Sequence, residues 1–286
     1  MPESIDPAAI VAALSPGAQL TDAVALEGGM SATVSAVSFV PRDGPPERVV
    51  VRRHRSADGN EDTSGERAAT EFALLQALHA RGCAVPAPRL FIAPETMVIA
   101  FIAASSALPQ DPADALARTL AGIHELAVQA LPALPTLDDP MPSLRAWFPH
   151  LNAHPAMQAG CGAFTGRACL VHGDFWPGNV LWRDGQVAAV LDWEDALLGD
   201  PLFDLACMRA ELFWLRDLQT VDAFTLRYRH YLPVDATRLA WWDLFMATAP
   251  LHSMDGWGLA ADALAARRAA GIAWQTRALE MLGLND

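Results

Sequence analysis

Short runs of alternating and β-branched apolar residues mark the first third of the chain, and longer stretches with helical spacing mark the rest. Ile5 to Leu14 reads as a short helix, and sheet begins after Leu20. Two apolar strands, Val24-Ala25-Leu26 and Val34 to Val40, flank the turn Glu27-Gly28-Gly29-Met30-Ser31-Ala32. Paired glycines in such a turn let backbone amides approach phosphate oxygens. Arg48 to Arg55 is a β-branched run that ends in positive charge. A polar loop, Ser56 to Gly65, leads into a helix over Glu66 to Ala80, with Phe72, Leu75 and Leu78 at helical spacing. Gly82, Pro86 and Pro88 break the chain before a strand at Arg89 to Ile92, and a second apolar run follows from Met97 to Ala104.

The later pattern is different. Ala113 to Leu126 places Leu116, Leu120 and Ile123 on one helical face, and Leu131 to Pro142 is a proline-rich loop. Val180-Leu181-Trp182 is a short strand, Arg183-Asp184-Gly185-Gln186 carries an Asp-Gly turn, and Val187 to Leu191 returns, so a hairpin is predicted. A helix opens within Gly199 to Ala206, and residues 207–286 read as helical and rich in aromatics, among them Phe213, Trp214, Tyr228, Tyr231, Trp241, Trp242, Trp257 and Trp274. Packing in a helical core is the expected role for most of these rings.

The hairpin gives three oxygen-bearing side chains a common location. Asn179 stands at its start and Asp192 at its end, and Asp174 lies just upstream, in a loop that Pro177 and Gly178 keep out of regular structure. Hard oxygen ligands beside a carboxylate able to receive a hydroxyl proton suit a magnesium-assisted phosphoryl transfer.

Composition narrows the alternatives. A hydrophobic content of 52% with 19% charged residues supports a buried core and argues against disorder. The chain contains no lysine, which excludes a Walker A loop. Its net charge of −13 disfavours nucleic acid as a partner. Residues 1–103 carry 8 arginines against 12 acids, a balance of −4, and residues 104–286 carry 12 against 21, a balance of −9. The more acidic second part suits steering of a cationic substrate, and equally suits plain solubility. Cys83, Cys161, Cys169 and Cys207 form no C-x-x-C pair and read as buried free thiols of a reducing cytoplasm. No basic segment follows Met1, and windows such as Met97 to Ala104 fall far short of a bilayer span, so neither secretion nor a membrane is expected. The glycines between Gly160 and Gly166 have the wrong spacing for a dinucleotide loop.

The order His172-x-Asp174-x-x-x-x-Asn179 matches the kinase catalytic-loop pattern H-x-D-x4-N, with Gly173 where protein kinases usually carry Arg. As HGDFWPGNVLW followed by LDWEDALLGDPLFDLA, the segment resembles the aminoglycoside phosphotransferase family, which also holds choline, homoserine and other small-molecule kinases. The implied fold is α/β (α+β) and protein-kinase-like. A small, mostly antiparallel-sheet nucleotide-binding lobe would span 1–103 and a larger helical lobe 104–286, with the active site in the cleft between them. By this resemblance Asp174 is the catalytic base, His172 fixes its loop, and Asn179 and Asp192 hold Mg²⁺. Gly28, Gly29 and Ser31 belong to a loop covering the nucleotide. Arg52 stands at the position of the usual Lys and would be steadied by Glu71, with Glu66 as the competing acid. Phe101 lies in the segment that carries the adenine contact. Asp204 resembles the buried acid that braces the catalytic loop, and also suits a first-turn acid favoured by the helix dipole. His124 is expected to be a packed or surface residue rather than a ligand.

The implied donor is ATP, with GTP open, and the implied acceptor is a small hydroxylated molecule. An aminoglycoside-type acceptor stands ahead of choline, ethanolamine, homoserine or another small alcohol, and Glu194 and Asp195 are candidates to contact a cationic one. A catalytically silent nucleotide-binding relative would have lost a metal ligand or the catalytic acid, and this chain keeps all three. A hydrolase lacks support, because neither G-x-S-x-G nor H-E-x-x-H occurs.

Overall fold

A computed structural model of the protein describes residues 6–26, 32–55, 61–137, 142, 157 and 162–284. The chain divides into two compact units. The first takes in Met1–Ala104, Leu131–Ala133 and Ala189–Glu194, and the second takes in Ser105–Ala130, Leu134–Ala188 and Asp195–Asp286.

In the first unit, helix α1 (Pro7–Leu14) is followed by strands β1 (Gln19–Leu26), β2 (Ala32–Val40) and β3 (Glu47–His54), helix α2 (Glu61–His79), and strands β4 (Pro88–Ile92) and β5 (Thr96–Ala100). The five strands form one antiparallel sheet in the order β1-β2-β3-β5-β4. Asp6 caps α1 by accepting from the Ala8 amide at 2.9 Å, and Pro7 occupies the first turn where its missing N–H costs nothing. On one sheet face, Val37, Phe39, Val49, Val51 and Val98 close around Ile10 and Val11 of α1. Each such side chain contributes about 1.5–3 kcal/mol when fully buried. Because side chains alternate along a strand, Arg52 and His54 project from the other face of β3, where both reach Glu71 of α2.

Helix α2 begins at Glu61, five residues into the stretch expected to be loop. Gly65, the main loop signal, lies inside the helix because a Cβ there would sit 3.1 Å from Pro94 Cβ and 3.3 Å from the Pro94 carbonyl oxygen. The glycine permits close packing rather than a turn. Sheet pairing likewise extends β1 back to Gln19 and β2 back to Ala32, beyond their most apolar residues. The apolar run from Met97 leaves regular pairing after Ala100.

The rest of the chain gives helix α3 (Ala113–His124), strands β6 (Cys169–Val171), β7 (Val180–Arg183), β8 (Gln186–Val190) and β9 (Leu197–Gly199), and helices α4 (Leu202–Leu215), α5 (Leu218–Arg229), α6 (Ala236–Ser253) and α7 (Ala261–Leu282), all in the second unit but for the last two residues of β8. β7 pairs with β8 as the predicted hairpin, and Asp184 and Gly185 both take the positive φ, 52° and 72°, that its tight turn demands. β6 pairs with β9, which fixes the chain immediately before and after the hairpin. Leu131 to Leu137 is loop except for a bridge from Thr136 to Leu198. Most of the late aromatics are core, as expected: Tyr228, Trp241, Trp242 and Trp274 are buried, whereas Tyr231 and Trp257 are exposed. Among the described residues no helix is long and apolar enough to cross a membrane.

Helix α4 packs on α5, α6 and α7 and is pinned from its buried side by a charge pair. Arg209 donates through Nε to Asp243 Oδ1 at 3.0 Å and through Nη2 to Asp243 Oδ2 at 2.8 Å, and its third nitrogen reaches Thr225 Oγ1. Removing one partner of such a pair strands the other charge in the interior at a cost of about 3–5 kcal/mol. Arg209→Met is therefore expected to lower unfolding free energy by about that amount in urea titration, with most of the loss recovered when Asp243→Leu is added. An Arg209→Met protein as stable as the parent would show that the pair does not hold α4.

Candidate active site

Two groups of polar residues, one in each unit, are built around buried charges. In the first unit, Arg52 is 8% exposed and lies at the centre. It donates through Nη1 to Glu71 Oε1 at 2.6 Å and through Nη2 to Asp192 Oδ1 at 2.5 Å, with Glu194 Oε2 3.9 Å away. Burial alone would push the Arg52 guanidinium down, but Glu71, Asp192 and Glu194 together outweigh it and raise its pKa. Glu71 is 1% exposed. Burial would push its carboxyl up, and Arg52, His54 and the Trp193 amide overcome this and lower it. The acid that pairs with Arg52 is thus Glu71; Glu66 is not part of the cluster.

Arginine suits this position geometrically. Its planar fork spans two carboxylates with separate nitrogens, which a single ammonium would do less well. Glu71 Oε1 also accepts from the Trp193 amide at 3.2 Å, and the Trp193 indole donates to the Val190 carbonyl at 3.1 Å. These bonds hold Asp192 in a left-handed conformation, φ 65°, which a non-glycine residue adopts only when its neighbours impose it. Asp192 keeps a side chain that is 35% exposed.

In the second unit, Asp204 is wholly buried in the first turn of α4. Its Oδ2 accepts from the His172 amide at 2.7 Å and its Oδ1 from the Gly173 amide at 3.0 Å. The His124 ring lies on the same carboxylate, Nε2 at 3.1 Å from Oδ2, and its Nδ1 is 2.7 Å from the Tyr228 hydroxyl. His124 is therefore a packed residue with two specific partners.

The loop held by Asp204 is tightly formed. His172 Nδ1 accepts from the Asp174 amide at 3.2 Å, and Gly173 has φ 86°. A Cβ on Gly173 would run into the carbonyl of Asp195, so the residue that replaces Arg in the kinase pattern is required to be glycine here. Asn179, at the end of the short Pro177–Asn179 turn, donates through Nδ2 to the Asp174 carbonyl and to Asp174 Oδ2, both at 2.9 Å. The amide nitrogen thus orients the Asp174 carboxylate, and the amide oxygen Oδ1 faces away from those two bonds. Asn179 and Asp192 supply hard oxygens of the kind Mg²⁺ takes, so their chemistry fits that ion.

The other expected site residues are placed as follows. Phe101 donates its amide to the Arg48 carbonyl at 3.3 Å, and its ring lies 4.3 Å beneath the Arg48 guanidinium. Glu194 is turned into the first unit, 3.4 Å from His54 Nδ1 and 3.8 Å from Arg67 Nη2, while Asp195 is exposed. Gly28, Gly29 and Ser31 lie outside the described residues, as does Cys161. Burial pushes the Cys83, Cys169 and Cys207 thiols up; Cys169 is buried as expected, whereas Cys83 and Cys207 keep some exposure. His54, Arg67 and Tyr228 belong to these clusters without any local sequence signal, because their partners are distant in the chain.

The chain is 45% identical over 56 residues to acyl-CoA dehydrogenase family member 11 of Rattus norvegicus, a match covering 19% of this chain and 7% of that protein. It is 42% identical over 45 residues to hygromycin-B 4-O-kinase of Escherichia coli, covering 16% of this chain and 12% of that enzyme. The protein thus matches only a small part of these relatives' lengths. Solved structures align over much more. The macrolide 2'-phosphotransferase MphH of Brachybacterium faecium superposes with a TM-score of 0.65 at 21% identity, covering 92% of this chain and 96% of that one. The choline kinase LicA of Streptococcus pneumoniae gives 0.64 at 17% identity, with 97% of each chain covered. The protein has the protein-kinase-like fold of these enzymes. A model of the phosphotransferase enzyme family matches residues 22–242, and the chain belongs to that family.

Proposed function

We propose that the protein transfers the γ-phosphoryl group of ATP or GTP to a hydroxyl group of a small molecule. The observation that carries this reading is the Asp174 carboxylate, aimed by Asn179 and standing on a loop whose amides are held by buried Asp204. Such a group is placed to orient an alcohol. In the step proposed, the acceptor oxygen forms a bond to the γ-phosphorus, and the bond from that phosphorus to the bridging β–γ oxygen breaks. The nucleoside diphosphate departs with that electron pair, and the hydroxyl proton passes to Asp174. His172 positions the loop through its Nδ1 and takes no proton in this step.

Arg52 would grip the donor's phosphates, its side chain presented by Glu71 and Asp192. Asn179 and Asp192 would hold Mg²⁺, which when bound neutralises charge on the phosphates. Gly28, Gly29 and Ser31 would cover the nucleotide through backbone amides, and Phe101 would lie beside the base.

The test is nucleotide turnover by purified protein across a panel of hydroxylated acceptors. Asp174→Asn is expected to lower kcat by about 10²–10⁴-fold, the usual contribution of a positioned general base, with little change in nucleotide affinity. A kcat within about tenfold of the parent would remove Asp174 from this role. Arg52→Lys keeps the charge but cannot span Glu71 and Asp192, so nucleotide KM is expected to rise about tenfold or more, a loss of about 1.4 kcal/mol. An unchanged KM would show that the fork is not used. Chelation of divalent cations is expected to abolish turnover and Mg²⁺ to restore it, and turnover in excess chelator would count against the assigned ligands.

A further inference from the structure

Among the described residues, the shielded acids that could recognise an acceptor cation are already met by donors of the chain itself. Among the described residues of the second unit, the acids that are not exposed are Asp174, Asp200, Asp204, Glu211 and Asp243. Asp174 is assigned to the reacting hydroxyl. Asp200 accepts from Arg238, from the Trp242 indole at 2.7 Å and from the Leu202 amide at 3.0 Å. Asp204 is filled by two amides and His124, and both oxygens of Asp243 are taken by Arg209. Glu211 is paired with Arg267. In the first unit, Glu194 faces Arg52, His54 and Arg67. Asp195 remains exposed, and a single solvated carboxylate binds an ammonium weakly.

One aromatic site among the described residues is filled in the same way. A quaternary ammonium would be expected to lie against tryptophan faces. The Arg267 guanidinium, 6% exposed, occupies such a place, 4.2 Å from the centre of the Trp214 ring and 5.7 Å from that of Trp257. Helical spacing places this group next to the catalytic loop. Asp204, Cys207 and Glu211 stand at i, i+3 and i+7 on α4, so Glu211 lies on the stripe that Asp204 turns to the loop. Burial pushes the Glu211 carboxyl up, and the charge of Asp174 adds to that shift, as it does for Cys207. Arg209, two residues from Glu211 in sequence, points to the opposite side, toward Asp243 and Trp274.

We infer that the acceptor is a hydroxylated compound without an ammonium group, uncharged or anionic, selected by Arg267 together with Trp214 and Trp257. An ammonium entering this wall would meet a fixed guanidinium in the site it would itself need. An uncharged or anionic alcohol meets an aromatic surface and a cation instead. The inference rests on the phosphotransferase reading for the position of the reacting hydroxyl. The pairing of carboxylates and tryptophans stands independently of it.

The experiment compares choline and kanamycin with glucose and 3-hydroxyhexanoate, reading both nucleoside diphosphate release and acceptor binding by tryptophan fluorescence. At least one uncharged or anionic acceptor is expected to exceed both cations in kcat/KM by tenfold or more. Arg267→Met frees Glu211 and both rings, and is expected to narrow that gap by lowering KM for choline. Trp257→Ala, a change at an exposed position, serves the same comparison if Arg267→Met does not fold, and is expected to weaken the favoured acceptor. A preference for choline or kanamycin in the parent protein, or an unaltered preference in both variants, overturns the inference. If no acceptor turns over, the phosphoryl-transfer reading fails and binding decides: quenching by glucose or 3-hydroxyhexanoate alone supports the selection, whereas quenching by the cations, or by none of the four, overturns it.

Discussion

The loop from His172 to Asp174 hangs on one buried carboxylate. Asp204 is 0% exposed, yet it meets no arginine; its charge is taken up by two backbone amides and a histidine ring. Hydrogen bonds from N–H groups to an ionised oxygen are short and strong when water is excluded, and leaving such a group unmet is correspondingly costly. The bonds fall on successive residues, His172 and Gly173, so the backbone immediately before Asp174 has one available path. Gly173 is the residue that lets that path pass the Asp195 carbonyl. Since Asp204 stands in the first turn of α4, the amide dipoles of that helix favour its negative charge as well. One side chain thus holds the His172 and Gly173 amides and also stands in the first turn of the helix.

Around Arg52 the same economy is achieved with opposite sign. A guanidinium this deeply placed needs acids close by, and Glu71 and Asp192 arrive from α2 and from the segment after β8. Desolvation works against each charge, and the mutual attraction offsets it with Arg52 bridging the two carboxylates through separate nitrogens and Glu71 taking the Trp193 amide as a further donor. A chain with no lysine has adopted arginine where a cation must bridge two acids rather than touch one. Asp192 is the most exposed of the three acids around Arg52, and its strained backbone keeps it there.

What could be read in the sequence was what depends on near neighbours. Asp174, Asn179 and the β7–β8 hairpin are encoded within a few residues of each other, by Pro177, Gly178 and an Asp-Gly turn, and the structure forms that hairpin. Helical spacing located α3 to within two residues at its end. The N-terminal start of α2 was hidden because Gly65 looks like a loop residue until Pro94, nearly thirty residues on, is seen against it. Tyr228 meets His124 across 104 positions, and Arg267 meets Glu211 across 56, separations at which no local pattern survives. Glu194 shows the same limit: its place beside Asp192 suggested an acceptor contact, and its side chain instead faces His54 and Arg67.

The contrast between the two kinds of residue explains how the fold persists while specificity changes. Structural relatives at 17–21% identity superpose over nearly the whole chain. In this chain the backbone anchors Asp204 and Gly173 are local and nearly all-or-none constraints. Glu211 and Arg267 are a constraint of another kind, a shielded ion pair set against the rings of Trp214 and Trp257. On the proposed reading, a charge placed in that layer changes which molecules are tolerated and leaves the loop held by Asp204 untouched. Acceptor choice would then rest with side chains that the motif from His172 to Asn179 neither contains nor constrains, and here those side chains bring their own cation.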